Sequence, residues 1–251
     1  MVMIANLAEN LSASVSEDAD VKAMIEAGVH IGHTKNKRHP AMESYIWSVK
    51  NGISIIDLTK TRDKLNEAET FLKNIAAKNG AILFVGTRPA AKDIVKESAG
   101  ALGMPYVNER WIGGTLTNFK VISKRIELLF DLEKKQSSGE FEKYTKKERM
   151  LFEKDIARLK HDFEGLRLLN RLPAALFVVN IPQDEIAVRE AVRMNIPVVA
   201  LTDTNANPKM IDYPIPSNDD AISVIRYMLT CIVRAVEEGK AEGALVSKPE
   251  I

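Results

Sequence analysis

Short apolar runs alternate with amphipathic stretches along most of this chain. Five runs are rich in Val, Ile, Leu and Phe and are almost continuous, as expected for strands that are covered on both faces. These runs occupy residues 53–58, 81–87, 105–108, 174–180 and 197–203. Apolar positions recur at helical spacing in residues 60–78, 89–102, 183–194 and 218–237. The alternation predicts right-handed crossovers and an α/β fold with a doubly wound, mostly parallel sheet.

The last of these helices carries signals for its two ends. Ser217 or Asn218 can cap its start, because short polar side chains accept hydrogen bonds from the first free N–H groups of a helix. Gly239 follows the final apolar position, as glycine commonly does at a helix end. We therefore expect a helix that ends before Gly239.

Residues 118–170 interrupt the alternation with two long helical patterns and no strand. Apolar side chains step by three and four residues in both patterns, which is typical of coiled-coil seams. The seams are Phe119, Ile122, Ile126 and Leu129, and then Phe152, Ile156, Leu159, Phe163 and Leu166. The link at residues 136–145 contains Gly139 and two serines. We expect an inserted antiparallel coiled-coil hairpin that serves as an arm for partners rather than as an enzyme lid.

These patterns divide the chain into four parts. Residues 19–117 and 171–240 form the α/β domain, interrupted by the hairpin at 118–170, and residues 241–251 form a C-terminal tail. The first 18 residues contain no Lys or Arg and are rich in Ser, Ala and Asn, so we expect a mobile arm and neither a secretory signal nor a transit peptide.

Composition narrows the function only weakly. The chain has 35 basic and 34 acidic residues, a formal charge of +1, so any nucleic-acid binding must come from local clustering of charge. Cys231 is the only cysteine and cannot form an internal disulfide, which fits a reducing compartment. No apolar run approaches the roughly 20 residues that span a bilayer, so we expect a cytoplasmic protein with no membrane partner.

The strongest local signal is a basic segment, residues 27–42, that contains no acid. Lys35, Lys37 and Arg38 could contact phosphates, with His33 and Asn36 as hydrogen-bond donors. Because the segment also holds His30 and His39, a metal site or a catalytic centre stays open at this point. The absence of any cysteine or carboxylate nearby along the chain disfavours a metal site, which normally needs three or four protein ligands. We predict no metal here.

Two further segments offer contacts to an anion or to RNA. Residues 109–119 carry Arg110 and Asn118 around a Gly-Gly pair, while we assign Trp111 to the core. Arg88 follows the second predicted strand at the start of a helix, a position that attracts anions. We predict no catalytic residue, no cofactor and no small-molecule substrate, since neither a phosphate-binding fingerprint nor a nucleophile–base pair is present.

An alternative function uses the carboxyl edge of the predicted sheet. Gly86 and Asp203 lie at the ends of predicted strands, and Asp219 lies at the start of a predicted helix, as binding residues do in nucleotide-binding α/β proteins and enzymes. Asp203 and Asp219 are equally suited to shape a turn and a helix start. The structural interpretation is the stronger of the two, because no partner pattern accompanies these acids.

Six motifs in fixed order resemble the family of bacterial small-subunit ribosomal protein two, over about residues 20–238. They are AGVHIGH, NGISIIDL, ERWIGGTLTNF, RLPAALFVV, IPVVALTDTN and IDYPIPSNDDAI. The resemblance implies a flavodoxin-like (Rossmann-like) α/β domain with a protruding helical hairpin. It also implies a structural, non-enzymatic component of the cytoplasmic ribosome. The implied partners are 16S-type rRNA and neighbouring small-subunit proteins, including ribosomal protein one.

The basic segment departs from the family pattern. Family members often read close to HQTRRWNPKM, whereas this chain reads HTKNKRHPAM, so Asn36, Arg38 and Ala41 replace an arginine, a tryptophan and a lysine. Lys35 and Arg38 partly restore the charge. The predicted RNA-binding residues are His33, Lys35, Asn36, Lys37, Arg38, Arg88, Arg110 and Asn118.

Overall fold

A computed structural model describes residues 20–246. The predicted arm at residues 1–18 and the end of the predicted tail, residues 247–251, lie outside the described residues. The helices are α1 (20–27), α2 (Leu58–Ala77), α3 (Lys92–Ala101), α4 (Phe119–Ser137), α5 (Lys146–Phe163), α6 (Glu185–Arg193) and α7 (Ile222–Val246). The strands are β1 (Ile31–Thr34), β2 (Ile46–Lys50), β3 (Ile53–Ile56), β4 (Ile82–Val85), β5 (Tyr106–Val107), β6 (Ala175–Val178), β7 (Val198–Thr202) and β8 (Tyr213–Pro216).

The centre of the fold is a five-stranded parallel sheet. Its strand order is β5-β4-β6-β7-β8, so the chain moves outward from β4 in one direction and then in the other. Helices lie between the strands, which is the Rossmann-like arrangement predicted from the alternation. The strand order changes direction between β4 and β6, which is the topological switch point of the sheet. The segments that follow these two strands meet at the carboxyl edge of the sheet.

Both faces of the sheet are buried, which explains the continuous apolar runs. Along β4, Ile82 and Phe84 belong to the apolar core on one face, and Leu83 and Val85 belong to the core on the other. Phe84 pairs with Phe177 of β6, with ring centroids 5.5 Å apart. The α2 and α7 helices contribute to the first core, whereas α4, α5 and α6 contribute to the second.

The first predicted strand is not part of this sheet, and that expectation was wrong. Ile53–Ile56 is the central strand of a separate antiparallel sheet of order β1-β3-β2. Asn51 and Gly52 have positive φ angles of 51° and 78°, which suit the tight turn that joins β2 to β3. Ser54 and Ile56 are buried while Ile53 is exposed, so β3 alternates as a half-covered strand does.

The fifth parallel strand is instead β8, which the sequence analysis did not identify. Its sequence, YPIP, contains prolines that argue against a central strand. The structure places β8 at the edge of the sheet, where one side of the strand carries no ladder. Its pairing with β7 aligns Leu201 with Ile215.

The last helix does not end at Gly239, so the predicted end was wrong. It continues to Val246 and includes six residues that we had assigned to the tail. Gly239 and Gly243 face α2, and a methyl group on either would overlap a main-chain carbonyl, that of Lys73 or Ala77 respectively. Glycine therefore lets α7 approach α2 closely. The start also differs from the prediction, because the helix begins at Ile222 and the Asn218 carboxamide oxygen accepts from the N–H groups of Asp220 and Ala221, which precede the helix.

Residues 118–170 contain the two long helices α4 and α5, which pack on each other. Their buried side chains include Ile126, Leu129 and Ile156. Thr145 and Glu148 form a reciprocal capping box at the start of α5.

Within residues 20–246, none of the helices combines the length and the apolar character needed to cross a bilayer.

Candidate nucleic-acid interface

The basic segment is a braced structure rather than a free loop. Its β1 strand pairs with β3, and Lys35 donates its main-chain N–H to the carbonyl of Gly52 at 2.9 Å. The main-chain N–H groups of His33 and His39 donate to the hydroxyl and carbonyl oxygens of Thr204, each at 2.8 Å. Thr204 follows β7, so the segment is fixed to the carboxyl edge of the parallel sheet.

Three of the predicted contact residues in this segment point into solvent. Lys35, Asn36 and Lys37 are exposed in a single 3-10 turn. In the described part of the chain, neither lysine takes part in an ion pair. Arg38 differs, since its guanidinium lies 3.3 Å from the Glu43 carboxylate and its side chain is only 19% exposed. The unpaired positive charge of the segment is therefore concentrated on Lys35 and Lys37.

His33 turns inward instead of toward solvent. Its Nδ1 lies 3.0 Å from an Asp203 carboxylate oxygen, and its Nε2 lies 3.5 Å from Asp220. The hydrogen bond to Asp203 raises the pKa of His33 above 6.5, although partial burial opposes this effect. In this structure His33 ties the basic segment to two carboxylates.

Arg88 also faces carboxylates. Its guanidinium lies 3.4 Å from Asp219 Oδ1 and forms a second ion pair with Asp220. Asp219 is fully buried, and its Oδ2 has no hydrogen-bond partner among the described residues. Burial, and then repulsion from Asp203 and Asp220, raises the pKa of Asp219 to about 8. One cluster at the carboxyl edge therefore contains five side chains, and we call it the charged cluster: His33, Arg88, Asp203, Asp219 and Asp220.

The charged cluster includes a set of side chains that could hold a metal ion. One ligand atom each from His33, Asp203 and Asp220 lies within 4.8 Å of the others. Our sequence argument against a metal relied on the lack of carboxylates near the histidines along the chain. The fold brings two carboxylates from distant segments, and His30 does not join the set. The absence of a metal stays a prediction.

Arg110 and Asn118 flank a turn that connects β5 to α4, and both side chains are exposed. Trp111 between them is 7% exposed and belongs to the core, as expected. The turn surrounds the buried carboxylate of Glu190 on α6, which accepts a hydrogen bond from the Trp111 indole N–H at 3.1 Å.

Sequence reasoning missed Glu190. The available signal was a charged residue within the apolar face of α6, beside the buried Ala187 and Ala191.

The position after β4, where a nucleotide phosphate would bind in the alternative function, is already occupied by a carboxylate. Asp184 accepts hydrogen bonds from the Thr87 hydroxyl at 2.7 Å and from the Thr87 N–H at 3.3 Å. Burial raises the pKa of Asp184. A carboxylate at this point, together with the engaged Arg88, does not favour an anionic nucleotide.

Comparisons with known proteins agree with the motifs. The family model described as ribosomal protein S2 matches residues 24–239. The small ribosomal subunit protein uS2 from each of two strains of Thermus thermophilus is 48% identical over 217 residues, which cover 86% of this chain and 84% of each relative. Both the extent of the family match and the identity to these relatives show that the chain belongs to the ribosomal protein S2 family.

Proposed function

We propose that this protein is a structural constituent of the small ribosomal subunit that binds 16S-type rRNA through its basic segment. The observation that carries the proposal is a pair of exposed lysines, Lys35 and Lys37, that form no ion pair within residues 20–246 and lie on a braced turn in a member of this family. As a ribosomal protein, the chain is structural rather than enzymatic and works at the ribosome in the cytoplasm.

The physical argument rests on charge and rigidity. Contact with RNA phosphates releases condensed counterions, and each neutralised phosphate adds to the salt dependence of binding. An ammonium group that already forms an ion pair loses part of this gain, since it must give up its partner. Lys35 and Lys37 form no ion pair with any described residue, so neither has to give up a partner to bind a phosphate. Their turn is held at its base by hydrogen bonds to Thr204 and Gly52.

The test compares two pairs of lysines in the full-length chain. Replacing Lys35 and Lys37 with alanine should weaken binding to 16S-type rRNA and reduce the slope of log affinity against log salt by roughly 0.7–0.9 for each phosphate that is no longer neutralised. The control is Lys78→Ala with Lys209→Ala, which removes the same charge from connections that lead into the amino ends of β4 and β8. Equal slopes for both double variants would exclude the basic segment from the interface.

We also propose that residues 118–170 form an antiparallel coiled-coil arm beside a flavodoxin-like domain of residues 19–117 and 171–240. The packing of α4 on α5 and the capping box at Thr145 support a helical hairpin. Replacing residues 121–161 with a short Gly/Ser linker should leave a cooperatively folding sheet domain that enters small subunits poorly. Normal incorporation would refute a role for the arm.

Docking of ribosomal protein one is the third part of the proposal. The small antiparallel sheet displays Trp47, which is 75% exposed and lines an open apolar cavity with Val21 and Ile25. An exposed aromatic side chain of this size is typical of protein-binding surfaces. Trp47→Ala should weaken capture of ribosomal protein one by reconstituted subunits without changing rRNA affinity. The control is Ile186→Ala, which removes a 58% exposed side chain from α6. Undiminished capture by the Trp47 variant would rule out this surface.

A further inference from the structure

We propose that Glu190 is a positioning residue for RNA binding, because its buried carboxylate holds residues 111–117 so that Arg110 and Asn118 face the RNA. This inference rests on the proposed function. Glu190 is 8% exposed and lies on α6, far in sequence from the turn that it supports.

The carboxylate is saturated by a single segment of chain. Oε1 accepts hydrogen bonds from the Trp111 indole N–H at 3.1 Å and the Gly114 N–H at 2.7 Å. Oε2 accepts from the Leu116 N–H at 3.0 Å and from both the N–H and the hydroxyl of Thr117, each at 3.1 Å. Two carboxylate oxygens offer about four acceptor sites, so the turn uses their full capacity.

Glu190 has no cation to balance it among the described residues. Burial by itself would raise its pKa, but the hydrogen bonds from Thr117, Gly114, Trp111 and Leu116 hold the pKa below 4.5. The group is therefore ionised at neutral pH, and the N–H and O–H donors of the turn are its only compensation in this part of the chain. Opening the turn would leave a buried charge without partners, which is strongly unfavourable.

The rigidity acts on the two predicted RNA contacts at the ends of the turn. Arg110 directly precedes Trp111, and Asn118 directly follows Thr117, so each is one residue from a donor to Glu190. The main-chain N–H of Asn118 donates to the Gly114 carbonyl at 2.8 Å, which links the end of the turn to its middle. Both contact side chains are exposed while the group that orders them is buried.

The principal test is a coupling measurement with the full-length chain and 16S-type rRNA. Glu190→Gln keeps the shape but replaces one acceptor oxygen with an NH₂ group that faces N–H donors. We expect roughly tenfold weaker rRNA binding, the effect of losing one charge-assisted hydrogen bond. In the Arg110→Ala, Asn118→Ala background the same change should have little further effect. The control is Glu185→Gln, an exposed change on the same helix.

A second readout follows the turn directly. The chain has two tryptophans, so a Trp47→Phe background leaves Trp111 as the only tryptophan. In that background Glu190→Gln should shift Trp111 emission to the red and increase its quenching by acrylamide. If Glu190→Gln does not fold, Thr117→Val and Trp111→Phe remove single donors and should each weaken rRNA binding by a smaller factor.

The outcomes separate this inference from the proposed function. If the unaltered chain does not bind 16S-type rRNA, the proposed function fails. If the unaltered chain binds but the Glu190, Thr117 and Trp111 variants bind equally well, only the positioning role of Glu190 is overturned. An equal loss of affinity with and without Arg110 and Asn118 would also overturn it, since a general loss of stability acts in both backgrounds.

Discussion

The close approach of α7 to α2 predicts that alanine at Gly243 destabilises the protein. A methyl group there would overlap the Ala77 carbonyl, and main-chain atoms cannot rotate away as a side chain can. Overpacking costs about 1–3 kcal/mol, and the upper part of that range, about 2–3 kcal/mol, applies here because the overlapped atom belongs to the main chain. Alanine regains up to about 1 kcal/mol of helix propensity. We expect a net loss of about 1–2 kcal/mol in the free energy of unfolding, measured by urea denaturation, and a similar loss for Gly239→Ala.

The matched control is Gly100→Ala on α3, where a methyl group would meet no atom within 4 Å. There the propensity gain acts alone, so stability should rise by up to about 0.5–1 kcal/mol. The change in unfolding free energy for Gly243→Ala distinguishes a helix packed on α2 from the exposed tail predicted from the sequence, because alanine in an exposed tail would leave the stability unchanged. A Gly243→Ala protein as stable as the unaltered chain would refute the close packing of α7 on α2.

Three other predictions follow from the structure. Hydrogen bonds from Arg167, and to a lesser degree from Lys160, hold the pKa of Glu133 down to about 2 against partial burial, so Glu133→Gln should cost about 1 kcal/mol at pH 7. The stabilisation from a lowered pKa is complete above the unfolded pKa and is lost as the pH falls to the folded pKa, so this difference should shrink between pH 4.5 and about 2 in urea titrations at stepped pH. Thr145→Ala removes the cap of α5 and should cost about 1 kcal/mol by the same assay. Phe177→Ala empties the centre of the sheet and should cost about 3–5 kcal/mol, so thermal unfolding without a large fall in Tm would contradict the core assignment.

The parallel sheet could be predicted where burial alone decides the pattern. The strands β4, β6 and β7 are covered on both faces, so their apolar runs are continuous and unambiguous. The run at 53–58 looked similar but forms a hairpin with β2, and the Asn-Gly pair before it was the signal for an antiparallel turn. The β8 strand was missed because its prolines are compatible only with an edge position, and edge positions are set by the whole sheet.

The basic segment could be found from sequence because the absence of acids is a local property. The separate roles of its residues could not, since they depend on distant groups. His33 is turned inward by Asp203 and Asp220, and Arg38 is engaged by Glu43. The same limit applies to Glu190, whose five donors lie more than 70 residues earlier in the chain.

The charged cluster explains how a chain with a net charge of only +1 can present a basic surface at this edge. Asp203 and Asp220 lie beside the basic segment and would repel phosphates if they were unpaired, whereas the pKa of Asp219, raised to about 8, leaves that carboxyl mostly protonated at pH 7. His33 pairs with Asp203 and Asp220, and Arg88 pairs with Asp220, which reduces the negative field that reaches solvent. Screening at physiological salt acts over about 8 Å, so a phosphate at the surface responds mainly to the nearest unpaired charges. Lys35 and Lys37 provide those charges, while the pairs that His33 forms with Asp203 and Asp220 help to fix the position of the segment.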